Sequence, residues 1–254
     1  MNTADCLQIT EEYFARWLGA EARELRQPGV RGFYSAERET NQPGYPHPYD
    51  GYLLQRGETL LFSYSRQAEE QARRFLREAP ANGAPEQIGK MLEETFGVRP
   101  SHGLKFVWQE GMAVDIGEAR QLSEEDYPAF LEFFRAGHPN CVHTEWLEEY
   151  FVEIAGKGFS FAIFREGKIA CATDAPVMPY LEGAIQEIGV RTLSEHQRKG
   201  YAAQACTAAA AEMLRQGVCP AWSTGADNQA SEQLAYRVGF AKFADVWTLR
   251  LGNS

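Results

Sequence analysis

The sequence predicts a mixed α/β fold, and three observations carry that prediction. Helical and strand periodicities alternate along the chain, and 44% of the 254 residues are hydrophobic, enough for a real core. The stretch Glu187 to Leu214 runs from a strand through a short loop into a helix. Ile188 and Val190 alternate with smaller or polar neighbours, and the alanine-rich run Ala202 to Leu214 is a strong helix former.

From the N-terminus, Thr10 to Arg26 sets Phe14, Trp17, Leu18 and Leu25 at near-helical spacing and predicts an amphipathic helix. Gln27 to Asp50 carries Pro28, Pro43, Pro46, Pro48 and several glycines, which predicts an ordered, irregular loop. Within it, Tyr45-Pro-His-Pro-Tyr49 is either a lid or a surface turn packed by its own rings. Tyr52 to Gln55 and Thr59 to Tyr64 flank Arg56-Gly57-Glu58, a hairpin signal. A helix over Gln67 to Arg77 follows, then a second marked by Ile88, Met91, Leu92 and Phe96, then a strand over Leu104 to Trp108. A boundary is expected near Gly111 to Gly117, giving an N-terminal α/β domain over 1–116 and a second domain over 117–254.

In the second half, Ala119 to Leu122 predicts a short strand, and Ser123-Glu-Glu-Asp126 opens a helix with a capping-box pattern that continues through Phe134. Thr144 to Ala155 is the next helix, and Phe159 to Phe164 with Lys168 to Thr173 form a hairpin. This hairpin echoes the first-half one and suggests a degenerate second copy there. A central strand over Ile185 to Thr192 leads to the alanine-rich helix. A strand at Cys219 to Thr224, a helix at Ala230 to Val238 and a closing strand at Ala241 to Leu251 complete the order β-α-α-β-β-β-α-β-α-β.

No apolar run reaches transmembrane length, and Met1-Asn-Thr-Ala-Asp5 lacks the basic and apolar regions of a signal peptide, so a cytoplasmic protein with no membrane partner is expected. Five scattered cysteines without a C-x-x-C pair suit reduced thiols. The net charge of -10 argues against non-specific nucleic-acid binding and is compatible with a cationic substrate such as an amine. His138-Pro-Asn-Cys141-Val-His143 holds three donor-type residues, but with no further ligand cluster it suits capping and loop packing better than a metal, and no metal is expected.

The loop after the central strand is where ligand chemistry concentrates. It ends at a helix N-terminus, where backbone N–H groups lack partners and the dipole favours anions. Gly200 lets the main chain approach a diphosphate, Ala202 keeps the next contact small, and Arg198 and Lys199 add positive charge. Neither G-x-x-x-x-G-K-[ST] nor G-x-G-x-x-G occurs. The pattern Gln197-x-x-Gly200-x-Ala202 resembles the acetyl-CoA pyrophosphate motif of the GCN5-related N-acetyltransferases. Downstream, Asn228-x-Ala-Ser231-x-x-Leu-Ala-x-x-x-Gly239-Phe240 is similar to that family's second signature, an Asn-led helix closing on Gly-Phe. The resemblance covers about Ala119 to Leu251.

The resemblance implies a GNAT-like acyl-CoA N-acyltransferase fold, a central mixed sheet flanked by helices, with acetyl-CoA as co-substrate and a primary amine of a small molecule as acceptor. It places backbone bonds to the pantetheine arm at Ile188, Val190 and Thr192, with an oxyanion donor near the Val190 N–H. It places the diphosphate on Gln197, Arg198, Lys199, Gly200, Tyr201, Ala202 and Ala203, and further cofactor contacts on Asn228 and Ser231. Asn228 suits a helix cap equally well. Glu187 is the candidate general base, with Asp174 and Glu182 as nearby competitors. Family members often carry a tyrosine four residues before the Gly of Gly-Phe, but that position here is Ala235. Tyr236, the alternative acid, is rotated about 100° from it on the helix. The competing reading is a non-catalytic acyl-CoA-binding or sensor module. A protein-interaction module that keeps only the fold would show no CoA affinity at all.

Overall fold

The computed structural model describes residues 1–109 and 115–252. The boundary expected near Gly111 to Gly117 falls mostly on residues 110–114, outside the described residues. Helix α1 spans Thr3–Leu18, capped by Asn2 and stopped by Gly19 in a left-handed conformation at φ 69°. It starts and ends earlier than the expected Thr10 to Arg26 helix, because the Asn2 capping box and Gly19 outweigh the apolar spacing. Ala22–Arg26 forms a separate 3-10 turn.

Strand β1, Gly29–Tyr34, lies inside the stretch expected to be irregular. It is a parallel partner of β3 at the edge of the sheet, a pairing that local periodicity does not signal. The hairpin forms as expected, with β2 at Gly51–Arg56 and β3 at Thr59–Tyr64. Helices α2, Glu69–Glu78, and α3, Pro85–Phe96, precede β4, Ser101–Trp108. Beyond the undescribed residues come β5, Arg120–Gln121, and α4, Tyr127–Gly137, which follows a single 3-10 turn at Glu124–Asp126. Then follow α5, Leu147–Gly156, and the hairpin of β6, Phe161–Arg165, and β7, Lys168–Asp174.

The expected single central strand is two strands, β8 at Ile185–Glu187 and β9 at Gly189–Thr192. They belong to different sheets. β8 pairs in parallel with β10, Cys219–Gly225, while β9 pairs antiparallel with β7. Helix α6, Tyr201–Arg215, helix α7, Gln229–Val238, and strand β11, Phe240–Leu249, complete the chain.

The seven-stranded sheet has the order β1-β3-β2-β11-β4-β10-β8, and the four-stranded sheet the order β5-β6-β7-β9. β11 lies between β2 and β4, and β4 between β11 and β10, so strands from before and after residue 117 interleave in one sheet. On one face of the large sheet, Phe14, Trp17 and Leu18 of α1 bury against Leu54, Val107, Val246 and Ile185. The opposite face packs on α2 and α3 through Phe62, Phe75 and Trp247, and on α6 and α7 through Phe106, Trp222, Met213 and Val238. The small sheet packs on α4 and α5 by Ala162 and Ala172, and on α6 by Ile163 and Cys171. Parity assigns these faces, because alternate residues of a strand point to opposite sides.

Candidate active site

The strands part at Ile188. The Ile188 N–H still donates to the Ala221 carbonyl of β10 at 3.1 Å, but beyond it β9 turns away to β7. Leu193 donates its N–H to Ala170 at 3.0 Å, so by the two-residue alternation Gly189 and Arg191 also face β7. Val190 and Thr192 therefore direct their N–H groups to the other edge of β9, which has no strand beside it among the described residues. Of the three residues expected to offer main-chain bonds there, Ile188 differs from Val190 and Thr192 at its N–H. Its N–H is already taken by β10, since it sits at the last point where the two strands touch.

The loop after β9 closes on itself through Gln197, whose side-chain amide donates to the Thr192 carbonyl at 3.4 Å. Arg198 adopts φ 60° and Gly200 φ 84° before α6 begins at Tyr201. No backbone N–H from Arg198 to Ala203 has a hydrogen-bond partner among the described residues; the first bond into the loop is the Gln204 N–H to the Gly200 carbonyl at 3.2 Å. Gly200 has no atom within 4 Å of where a Cβ would stand. The site thus combines a run of unpaired donors, a helix N-terminus and the exposed side chains of Arg198 and Lys199, which suits a diphosphate. The Tyr201 hydroxyl accepts from Arg165 Nε at 2.8 Å, and the Arg165 guanidinium lies 4.5 Å from the ring centre. Ala202 and Ala203 pack inward.

Asn228 and Ser231 are engaged within the protein. Asn228 caps α7 by accepting the Ser231 N–H at 3.1 Å, and Ser231 Oγ accepts from Trp222 Nε1 at 3.2 Å. The capping alternative for Asn228 is therefore what the geometry contains.

Glu187 stands at the parting of the strands and faces the α1 side of the large sheet. Its carboxylate accepts a bond from the Ser223 hydroxyl. Lys105 lies directly across from Ser223 in the neighbouring strand and points to the same face. These three residues wall a cleft of about 280 Å³, together with Tyr13, Trp17, Tyr45, Tyr49 and Tyr52. The tyrosine-rich loop is thus packed on Trp17 and lines the cleft, with Trp17 and Tyr45 edge to face at 5.2 Å. Burial pushes the Tyr13 and Tyr45 hydroxyls above their ordinary range, and the Glu187 charge adds to it. Desolvation holds the Lys105 amine below its ordinary value, with Glu187 opposing.

A second cavity of about 430 Å³ lies on the other side of the parting, lined by Phe130, Phe134, Trp146, Tyr150, Asp174 and Gly189. Asp174 accepts the Tyr150 hydroxyl at 3.0 Å, and burial raises its carboxyl above the usual range. A Cβ on Gly189 would stand 1.8 Å from Asp174 Oδ1, so glycine is required where the strand passes that carboxyl. Glu182 does not line either cavity.

Tyr236 is not brought to Glu187. It is 39% exposed, donates to Glu232 at 3.1 Å and packs edge-on against Phe106 at 5.6 Å. Phe106 is the neighbour of Lys105 in β4 and points to the opposite face of the sheet. Lys105 and Ser223 are the residues that sequence reasoning missed. A lysine and a serine inside otherwise apolar strand runs were the available signal.

His138 Nδ1 lies 3.0 Å from the Phe134 carbonyl with its ring stacked on Phe134, and Cys141 Sγ donates to the His143 carbonyl. Among the described residues no three His, Cys, Asp or Glu side chains are grouped to hold a metal ion. All five cysteines are free, and no helix among the described residues is long and apolar enough to cross a membrane.

Residues 143–247 match the family model described as GNAT acetyltransferase. No curated protein matches the chain. Among solved structures, an acetyltransferase from the GNAT family of Colwellia psychrerythraea is 15% identical with a TM-score of 0.54, over 98% of each chain. A GCN5-related N-acetyltransferase-like protein from Streptococcus suis is 16% identical with a TM-score of 0.45, over 98% of this chain and 100% of that one. The first of these shares the fold along nearly the whole length, including the N-terminal elements.

Proposed function

We propose, from the match of residues 143–247 to the GNAT acetyltransferase model, that the protein transfers an acetyl group from acetyl-CoA to a primary amine of a small molecule in the cytoplasm. The observation that carries the reading is the run of unpaired amides from Arg198 to Ala203, opening onto α6 just after the strands part. When bound, acetyl-CoA supplies the acetyl group as a thioester. Arg198, Lys199 and the loop amides hold its diphosphate, and the outward N–H groups of Val190 and Thr192 meet the pantetheine arm. The Val190 N–H is the donor placed for charge developing on the carbonyl oxygen.

On the other side of the parting, the aromatic cleft takes the acceptor. Its rings exclude water and suit an amine with an apolar or cationic body. Glu187 accepts the proton that the amine must lose, directly or through a water, and Ser223 orients the carboxylate. A thiol's ordinary pKa of about 8.5 makes thiolate a fair leaving group near neutrality, so a dedicated acid is not required.

The test is titration with acetyl-CoA, followed by a free-thiol release assay across a panel of small amines. Saturable binding with amine-dependent thiol release is expected. Binding with no release from any amine would instead favour an acyl-CoA sensor.

A further inference from the structure

We propose that the cavity of about 650 Å³ walled by Arg38, His47, Asp50 and Arg250 binds a small oxyanion, a carboxylate or phosphate, outside the acceptor cleft. Arg38 is among the largest fully buried side chains of the molecule, 1% exposed. Its Nη2 donates to the Trp17 carbonyl at 2.7 Å, and its guanidinium carbon lies 5.3 Å from the Tyr52 ring centre and 5.8 Å from that of Trp17. Neither Nε nor Nη1 has a hydrogen-bond partner, and no carboxylate reaches salt-bridge distance, among the described residues. A buried cation without a counter-charge is costly, and a guanidinium does not escape the cost by losing its proton.

The carboxylates around this cavity are committed elsewhere. Asp50 accepts from Ser65 Oγ at 3.0 Å and from the Leu251 N–H at 2.8 Å, and Glu39 accepts from the Arg66 N–H at 2.8 Å. Glu37, whose charge reaches Arg38, is held by Tyr180 and Gln42. Arg250 is exposed and makes no ion pair among the described residues. Two guanidinium groups, one buried with spare donors and one free at the rim, match the paired oxygens of a carboxylate or phosphate.

The site connects to the acceptor cleft through one short loop. His47 and Pro48 wall the anion cavity, while Tyr45 and Tyr49 wall the cleft. Arg38 itself rests on Trp17 and Tyr52, which wall the cleft too. An anion held at Arg38 therefore orders the loop that covers the acceptor.

The test uses the full chain and needs neither CoA nor an acceptor, so it is decided separately from acetyl transfer. The Tm is followed in sodium phosphate and in sodium malonate, each against sodium chloride at equal ionic strength. A saturable rise above the chloride control is expected, and the salt giving the larger rise identifies the ligand chemistry. Arg38→Met removes that rise, and Arg250→Ala raises the concentration needed about tenfold. No rise beyond chloride overturns the proposal. A rise unchanged in both variants marks an adventitious ion only and overturns it as well. Should Arg38→Met fail to fold, Arg250→Ala decides: an unchanged midpoint overturns the site.

Discussion

Glu187 owes its position to the parting at Ile188, which turns the carboxylate to the α1 face beside Ser223 and Lys105. Glu187→Gln keeps the shape and the Ser223 contact but removes the base, so kcat should fall about 10² to 10⁴-fold. The Kd for acetyl-CoA should hold, since the loop amides lie elsewhere; an unchanged kcat at every pH removes Glu187 from the chemistry. Tyr236→Phe is the contrasting case. Its hydroxyl is bonded to Glu232 on the other face of the sheet, so kcat should stay within about twofold; a hundredfold loss in steady-state assays would make Tyr236 the acid. Lys105 gives a pH-dependent outcome. Its amine is depressed by desolvation, so the stability it allows is present above the unfolded lysine pKa and lost as pH falls through the folded value. Lys105→Met lacks that loss and should raise Tm at neutral pH by about 2–4 °C, with the gain shrinking toward pH 10 in thermal melts. The place of Glu187 at the end of a strand was legible because that strand is local in sequence. Lys105 was not, because only cross-strand pairing brings it to Ser223.

The turn into α6 gathers the proposed diphosphate contacts in one local piece of chain, with Gly200 held left-handed at φ 84°. A side chain there meets no neighbour but costs about 1–2 kcal/mol in backbone conformation, which the loop relieves by shifting its amides. Gly200→Val should therefore weaken acetyl-CoA binding tenfold or more by calorimetry while the circular dichroism spectrum stays unchanged. Full affinity in that variant would move the diphosphate away from this loop. The same stretch shows why one expected strand became two. The pattern runs through Ile185 to Thr192 without a break that marks the change, yet after Ile188 the chain leaves β10 and pairs Gly189 with Asp174 of β7. Helix α1 shows the opposite balance, where a cap and a left-handed glycine, both local signals, override apolar spacing.

β11 is inserted between β2 and β4, so removing residues 1–116 strips it of both neighbours and strips β10 of β4. It also uncovers the α1 face on which the proposed acceptor cleft is built. Segment 117–254 expressed alone should be insoluble or lack a cooperative melt, while the full chain should unfold in one calorimetric transition. Two resolved transitions, with a folded 117–254 fragment that binds acetyl-CoA, would establish the two segments as separate units. The N-terminal elements supply Tyr13, Trp17, Tyr45, Tyr49, Tyr52 and Lys105 to the cleft, so acceptor choice and thiol release should both be lost with them.

Most of the helices, the hairpins and the strand–loop–helix turn from Gln197 to Ala203 were readable from residue order, because each depends on contacts within a few residues along the chain. The edge strand β1, the interleaving of β4 and β11, the second face of the cleft and the pairing of Ile188 with Ala221 were decided by folding alone. Those features depend on hydrogen bonds and burial between segments far apart in sequence, and no local periodicity records which distant strand a given strand will choose.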